Sequence, residues 1–148
     1  MMASNINSDP LHQPILLVED NPVDLDLTLR ALAKRNLTNP VHVARDGEEA
    51  LAWLPRWEAS EPWPALILLD LKLPRVDGLE VLRHLKDHAD LCAIPVVILT
   101  SSQEDRDIKK AYQLGANSYI VKPVNFDKFV DVVAQVELYW RVLNKSYR

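Results

Sequence analysis

Three carboxylates follow two apolar runs of this chain, and their positions indicate a site for a hard cation. The run 15–18 leads into Glu19 and Asp20, and the run 65–69 leads into Asp70. Continuous apolar runs predict strands buried on both faces, and open parallel sheets carry their chemistry at the carboxyl ends of strands. Carboxylates about 4 Å apart repel by ~4 kcal/mol at an effective dielectric of about 20. Such a cluster must take up protons or a cation, and oxygen ligands suit Mg²⁺.

Two further strand ends carry polar groups that suit phosphate. The segment Ile98-Leu99-Thr100-Ser101 ends in hydroxyls, and Ile120-Val121-Lys122-Pro123 ends in an ammonium group. A carboxylate, a cation, a hydroxyl and an ammonium group at one sheet edge predict a site that handles phosphoryl groups. Asp70 is the predicted nucleophile, because a carboxylate can form an acyl phosphate.

The elements that must position these residues alternate along the chain. Strands are predicted at 15–19, 41–44, 65–70, 95–99 and 118–121, and five helices alternate with them. Strict alternation predicts an α/β fold, a doubly wound five-stranded parallel sheet with strand order 2-1-3-4-5. In that order strands one and three are neighbours, about 4.8 Å apart, so Glu19, Asp20 and Asp70 come together.

The helix ends carry recognisable signals. Caps are predicted at Asn21-Pro22, Asp46 with Glu49, Asp77 with Glu80, Ser101 or Ser102, and Asn125, and Gly115 is predicted to end the fourth helix. The stretch 54–64 is long for a connection between a helix and a strand. Its tryptophans, with Trp53, predict a local cluster that fastens it to the second helix, or alternatively a surface for a partner.

Composition limits the classes of protein to consider. The chain has 148 residues and a net charge of −4, so one domain with a substantial core is expected and nucleic-acid binding is not. The single cysteine, Cys92, fits a reducing cytoplasm. Residues 1–13 are predicted to form a polar, extended or disordered tail before a domain at 14–148. Neither a signal peptide nor a membrane span is expected.

The chain closely resembles the receiver domains of two-component response regulators, which have the flavodoxin-like fold of CheY. The matching residues are Glu19-Asp20, Asp70 within LLDLKLPRVDG, Thr100 within ILTSS, and Lys122-Pro123 within YIVKP. Each motif is weak alone, but the set in this order is very specific. The resemblance extends from about residue 14 to the last predicted helix.

The resemblance implies a role for each matching residue. Asp70 is the expected phosphoacceptor; Asp20 and Asp70 are expected to bind Mg²⁺ directly, and Glu19 through water. The backbone carbonyl of Lys72 is expected to complete the protein ligands. By the same resemblance, Thr100 bonds a phosphoryl oxygen, Lys122 pairs with the phosphate, and Tyr119 is the switch aromatic that moves inward with Thr100.

The resemblance also implies a function and partners. A stand-alone response regulator is expected, phosphorylated on Asp70 by a sensor histidine kinase and signalling by protein–protein contact. Its only expected reactions are Mg²⁺-dependent self-phosphorylation and autodephosphorylation. The stretch 54–64 and the aromatic end of the last helix resemble the small single-domain regulators of bacterial phytochrome kinases.

The last predicted helix carries two apolar stripes where one would suffice. The stripes are Phe129, Val133, Val136, Trp140 and Leu143, and then Val132, Tyr139 and Val142. We expect a homodimer through the face formed by the fourth helix, fifth strand and fifth helix, and the alternative is that the extension folds back on its own domain.

Three alternatives for the site have weaker support. A relay protein would pass the phosphoryl group to a further histidine. An aspartyl phosphatase would need a second aspartate two residues after Asp70, where Lys72 stands, and a flavin-binding module would not place acids after the first strand. His84 and His88 lack the intervening glutamate of a zinc protease motif and are expected to be surface residues.

Overall fold

The protein is an α/β domain, here a computed structural model that describes residues 13–34 and 39–122 together with Asp127 and Asp131. The described strands form one parallel sheet in the order β2-β1-β3-β4-β5. They are β1 (Ile15–Val18), β2 (Val41–Ala44), β3 (Leu66–Leu69), β4 (Val96–Thr100) and β5 (Ser118–Val121). The predicted fold class and strand order are confirmed, and the predicted strand ends differ from these bounds by at most one residue.

The described helices are α1 (Pro22–Lys34), α2 (Gly47–Leu51), α3 (Trp53–Ala59), α4 (Gly78–Asp87) and α5 (Asp105–Gln113), with a short 3-10 turn at Leu91–Ala93. Alternate residues of the central strands enter two separate cores, because successive side chains of a strand point to opposite faces. One core contains Ile67 and Leu69 with residues of α4, and the other contains Leu66 and Leu68 with residues of α1. The sheet is therefore covered on both faces, which explains the continuous apolar runs.

Strand register brings the site residues to one edge of the sheet. Val18 of β1 pairs with Leu69 of β3, so Glu19 and Asp70 each follow a paired residue. The backbone N–H of Asp70 donates to the Val18 carbonyl at 3.1 Å. At the same carboxyl edge, where β4 and β5 end, the backbone N–H of Lys122 donates to the Thr100 carbonyl at 2.8 Å.

Two of the predicted helix caps are confirmed. The Asn21 Oδ1 atom accepts the backbone N–H groups of Val23 at 2.9 Å and Asp24 at 3.1 Å. Asp46 accepts the backbone N–H of Glu49 at 2.8 Å, while the Glu49 carboxylate accepts the N–H of Arg45 at 3.2 Å. The bonds from Val23, Asp24 and Glu49 satisfy N–H groups that the first helical turn leaves without partners.

Asp77 lies at the N-cap of α4 as predicted, but its side chain makes no capping bond, and Glu80 pairs with Arg83 instead. The cap predicted at Ser101 or Ser102 is wrong. Helix α5 begins at Asp105, beyond Ser101 and Ser102, and Glu104 at its N-cap makes no side-chain cap bond. Ser102 lies three residues before the first residue of α5; its hydroxyl donates to the Asp107 carboxylate at 2.5 Å, and its oxygen accepts the Glu104 N–H at 3.4 Å.

The predicted stop at Gly115 is confirmed. Its φ of 106° lies in the region that favours glycine, immediately after Leu114 at the C-cap of α5.

The stretch 54–64 is not only a connection, because α3 occupies Trp53–Ala59. Trp57 is buried, and the Trp63 indole N–H donates to the Trp57 carbonyl at 3.1 Å. Trp53 stacks on Trp57 with ring centroids 5.9 Å apart and on His42 at 4.8 Å. The predicted local tryptophan cluster is confirmed, and helix formation explains the length of the segment.

The remaining sequence predictions have mixed outcomes. His84 is exposed as expected, while His88 is half-buried and its Nε2 lies 3.1 Å from a Glu58 carboxylate oxygen. The predicted N-terminal tail (except Gln13), the Asn125 cap and the two apolar stripes of the last helix lie outside the described residues. Among the described helices, none has the length and apolar character needed to cross a bilayer.

Candidate functional site

The three predicted carboxylates lie together at the carboxyl edge of β1 and β3. Glu19, Asp20 and Asp70 each offer an oxygen, and these oxygens lie within 4.8 Å of one another. Glu19 is 1% exposed and Asp70 is buried, whereas Asp20 is exposed. The Glu19 carboxylate accepts the Asn21 N–H at 3.2 Å, and Asp70 accepts the Lys72 N–H at 3.1 Å. The cluster is thus anchored from inside and open at Asp20.

Lys122 joins the cluster from the end of β5. Its Nζ atom lies 2.6 Å from Glu19 Oε1, 2.9 Å from Asp24 Oδ2 and 3.1 Å from Asp70 Oδ2. An ammonium group has three protons, so each can be donated to a different carboxylate. Sequence reasoning missed Asp24, although its position in the first turn of α1 places it beside the carboxyl end of β1.

The electrostatics of the site follow from burial and charge. The pKa of Glu19 is raised to about 7, chiefly by burial and also by the Asp70 charge, while the bond and charge of Lys122 oppose the rise. Burial also acts to lower the pKa of Lys122, but its bonds to Glu19 and Asp24 and the Asp70 charge outweigh burial and raise that pKa. The ammonium therefore stays charged and holds the carboxylates together.

The donor set fits a hard divalent cation. The Lys122 ammonium contacts Glu19, Asp24 and Asp70, and Asp20 lies beside Glu19 and Asp70, so this group carries excess negative charge when the acids are ionised. Carboxylate oxygens are the ligands that Mg²⁺ and Mn²⁺ accept. The exposed Asp20 gives an ion access from solvent.

The Thr100 side of the site forms a second hydrogen-bonded group. Thr100 is fully buried at the end of β4, and its Oγ1 lies 3.5 Å from the Ser102 nitrogen. The Tyr119 hydroxyl donates to the Ser102 carbonyl at 3.0 Å, and burial raises the pKa of Tyr119. The Lys72 side chain points to Asp107, at 3.6 Å, although its backbone N–H bonds Asp70. Sequence reasoning missed Ser102 and Asp107 as the link between these elements.

The backbone behind Asp70 is packed closely against the start of α4. The backbone N–H of Gly78 donates to the Leu71 carbonyl at 2.9 Å. A Cβ atom at Gly78 would lie 2.2 Å from the carbonyl oxygen of Asp70 and 2.5 Å from the Leu71 Cα. Only glycine permits this approach, so Gly78 fixes the position from which Asp70 extends into the site.

Comparison with known proteins gives consistent results. The model of the response regulator receiver domain matches residues 15–134. The probable methanogenesis regulatory protein FilR2 of Methanothrix harundinacea is 42% identical over 133 residues, which are 89% of this chain and 86% of that protein.

Solved structures agree with the sequence comparisons. The bacteriophytochrome response regulator RtBRR has a TM-score of 0.76 and 53% identity, over 84% of this chain and 78% of that one. The Mn²⁺-bound form of the response regulator Rcp1 has a TM-score of 0.73 and 40% identity, over 86% of this chain and 94% of that one.

These matches decide between the alternatives raised by the sequence. They support neither the phosphatase nor the relay alternative, and the loop after β1 presents the acids Glu19 and Asp20 where a flavin-binding module would hold phosphate. Receiver domains are generally signalling proteins rather than enzymes that turn over a substrate. With its fold, its acidic cluster and its resemblance to phytochrome-associated regulators, the chain belongs to the response regulator receiver domain family.

Proposed function

We propose that a sensor histidine kinase phosphorylates this receiver on Asp70. The observation that carries the proposal is the position of Asp70, where the Lys122 ammonium reaches its carboxylate at 3.1 Å inside an acidic pocket. The buried carboxylate has one oxygen beside the Lys72 N–H and the other beside Lys122. The surrounding donors hold the nucleophile in one orientation, which is what transfer to a fixed carboxylate requires.

The transfer conserves atoms and charge in a simple displacement. A carboxylate oxygen of Asp70 attacks the phosphorus of the kinase phosphohistidine, and the N–P bond breaks with its electron pair returning to the imidazole nitrogen. The product is an acyl phosphate on Asp70. Hydrolysis resets the domain when a water oxygen attacks the phosphorus and the bond to Asp70 breaks. Inorganic phosphate then leaves and the carboxylate is restored.

A divalent cation, which we propose is Mg²⁺, completes the site. Asp20 and Asp70 would hold it directly, Glu19 through water, and the Lys72 carbonyl would supply a further oxygen. When bound, the ion offsets the negative charge that repels an incoming phosphoryl group. The excess of carboxylates over ammonium groups supports this assignment.

The response to phosphorylation would be carried by Thr100 and Tyr119. Thr100 and Lys122 would contact the phosphoryl oxygens, and the Thr100 segment would move toward Asp70. Tyr119 would follow, because its hydroxyl bonds the Ser102 carbonyl of that same segment. The change would shift a pre-existing equilibrium at the face formed by α5, which is the predicted fourth helix, by β5 and by the predicted fifth helix. This face would then bind a protein partner or a second copy of the chain.

The partner proposed for the input is a phytochrome-type histidine kinase in the cytoplasm. Support comes from similarity to RtBRR, which is a bacteriophytochrome response regulator. The single cysteine agrees with a reducing compartment. Incubation with a purified phytochrome kinase and labelled ATP should transfer label to the wild-type chain. Labelling no faster than by a kinase of another sensor type would contradict this pairing.

The phosphoacceptor assignment can be tested without a kinase. Acetyl phosphate and Mg²⁺ should add one phosphoryl group to wild type, as read by intact mass, and none to Asp70→Asn. Asp26→Asn is a matched control, because Asp26 is exposed on α1 and pairs with Arg30 away from the site. Equal labelling of wild type and Asp70→Asn would refute the assignment.

The dimer proposal needs a separate measurement. Gel filtration with and without beryllofluoride, a mimic of the phosphoryl group, should show a larger species in the presence of the mimic. A monomer under both conditions would contradict dimerisation and leave the phosphoacceptor assignment unaffected. An unchanged dimer would contradict its coupling to Asp70.

A further inference from the structure

Lys122 makes three ion pairs in this structure. These pairs occupy the N–H groups that Lys122 would need to bind a phosphoryl group. Its Nζ contacts Glu19 at 2.6 Å, Asp24 at 2.9 Å and Asp70 at 3.1 Å. Three carboxylate partners use all three protons of an ammonium group. A phosphoryl oxygen on Asp70 can accept an N–H of Lys122 only when that N–H leaves its present carboxylate.

Burial decides which bond can be released. Glu19 is 1% exposed, and a buried carboxylate that loses its partner cannot be rehydrated, which makes its release expensive. Phosphorylation converts the Asp70 carboxylate into an acyl phosphate, so the N–H donated to that carboxylate turns to a phosphoryl oxygen, and a second such bond needs the N–H now donated to Glu19 or Asp24. The side chain of Asp24 is 31% exposed, so water can replace the ammonium there at small cost.

We infer that Asp24 is a positioning residue that competes with the phosphoryl group for Lys122. In the resting state Asp24 accepts one N–H of Lys122, and on phosphorylation that N–H turns to an oxygen of the group on Asp70. Asp24 thereby lowers the affinity of the site for a phosphoryl group and shortens the time for which Lys122 stabilises it. This inference rests on the proposed function, because it requires a phosphoryl group on Asp70.

The backbone at Asp24 is held by contacts that do not use its carboxylate. Its N–H donates to the Asn21 side chain at 3.1 Å, and its carbonyl accepts the Thr28 hydroxyl at 2.9 Å. Asp24→Asn should therefore remove the charge and preserve the first turn of α1. Asp26→Asn makes the same charge change two residues away, where the carboxylate pairs with Arg30 at 3.0 Å.

The test measures equilibrium binding of beryllofluoride at saturating Mg²⁺ by ¹⁹F NMR, after the Mg²⁺ affinity of each variant has been measured alone. An amide oxygen accepts from an ammonium group about half as strongly as a carboxylate, so Asp24→Asn should bind beryllofluoride about tenfold more tightly than wild type. Asp24→Glu, which keeps the charge, should return the affinity toward wild type, and Asp26→Asn should match wild type. The acyl phosphate made with acetyl phosphate should also last longer in Asp24→Asn.

Several results would overturn the inference. An unchanged or weaker beryllofluoride affinity in Asp24→Asn would do so, and so would an effect confined to Mg²⁺ affinity, which would make Asp24 only part of the acidic environment of the metal. Asp24→Ser is a second variant, with the same expected tightening, should the asparagine variant be poorly folded. If wild type and Asp26→Asn both fail to bind beryllofluoride, the proposed function itself fails, and the two failures are distinguishable.

Discussion

Replacing Lys122 by methionine is the most direct test of how the pocket is held together. The substitution keeps a side chain of similar length and removes the ammonium that lies within 3.1 Å of three carboxylates. Glu19 and Asp70 are only 1% and 5% exposed, so solvent hydrates both carboxylates poorly. Asp24 is partly exposed and can be hydrated. The variant therefore leaves two buried carboxylates without their main counter-ion.

The size of the effect follows from burial and protonation. Removing one partner of a buried ion pair costs about 3–5 kcal/mol, and Asp24 adds little because exposed pairs contribute about 0–1 kcal/mol. Proton uptake by Glu19 limits the loss. Its pKa is already about 7, against 4.5 for a free side chain, and losing Lys122 removes a contribution that lowers it. We expect a loss of about 3 kcal/mol at pH 8.

The loss depends on pH in a defined direction. A carboxyl group with a higher pKa in the folded state than in the unfolded state binds its proton more tightly when folded. Its contribution to stability is fully present below pH 4.5 and is lost as pH rises through the folded pKa. For Lys122→Met the folded pKa of Glu19 lies above its value in wild type, so the deficit should be smaller at pH 6 than at pH 8.

Urea unfolding in EDTA at these two pH values, followed by the same measurement with Mg²⁺, gives the assay. Mg²⁺ should restore more stability to Lys122→Met than to wild type, because ligand that binds only the folded state stabilises it and this pocket has lost its competing cation. Lys72→Met is the control: that side chain is exposed and pairs with Asp107 at 3.6 Å, so it should lose at most about 1 kcal/mol. Equal losses for the two variants in EDTA would refute the reasoning.

Three further substitutions separate stability from function. Gly78→Ala should cost about 1–3 kcal/mol and slow the phosphorylation of Asp70 by acetyl phosphate, because its methyl group would lie 2.2 Å from the Asp70 carbonyl oxygen. Gly115→Ala, at a φ of 106°, should lower stability by about 1–3 kcal/mol and leave the phosphorylation rate unchanged; equal slowing in both variants would contradict a positioning role for Gly78. Trp57→Ala should cost about 3–5 kcal/mol in urea unfolding, and a loss below 1 kcal/mol would contradict the packing of α3.

Much of the fold could be predicted because its signals are local. The run 66–69 is apolar at every position, as expected of a strand that is covered on both faces. Each apolar run predicted as a strand is followed by a segment with helix signals. Two-residue periodicity then sends Ile67 and Leu69 to one core and Leu66 and Leu68 to the other. Parallel order brings the ends of β1 and β3 together, so the acidic cluster follows from topology alone.

The features that could not be predicted depend on which of several possible hydrogen-bond partners a side chain contacts in the folded protein. Ser102 is a typical capping residue, but α5 begins at Asp105, and the Ser102 side chain bonds the Glu104 N–H and the Asp107 carboxylate instead. In the sequence Asp24 looks like an ordinary acidic residue in the first turn of a helix, where the helix dipole favours a negative charge without any partner. Its contact with Lys122, 98 residues away in sequence, depends on how α1 leaves β1.

The arrangement around Lys122 explains why one side chain can couple so many elements. Glu19 follows β1, Asp24 belongs to α1, Asp70 follows β3, and Lys122 follows β5, so its three bonds tie together the first, third and fifth strands and a helix. A phosphoryl group on Asp70 would take over the bond to that carboxylate and would gain a second N–H of Lys122 from Asp24, the partner that water can replace. Binding at the centre of the site is thereby converted into a change at its rim, on the exposed side of α1. The strength of the Asp24 contact then sets how much of the phosphoryl group's binding energy is used in breaking it.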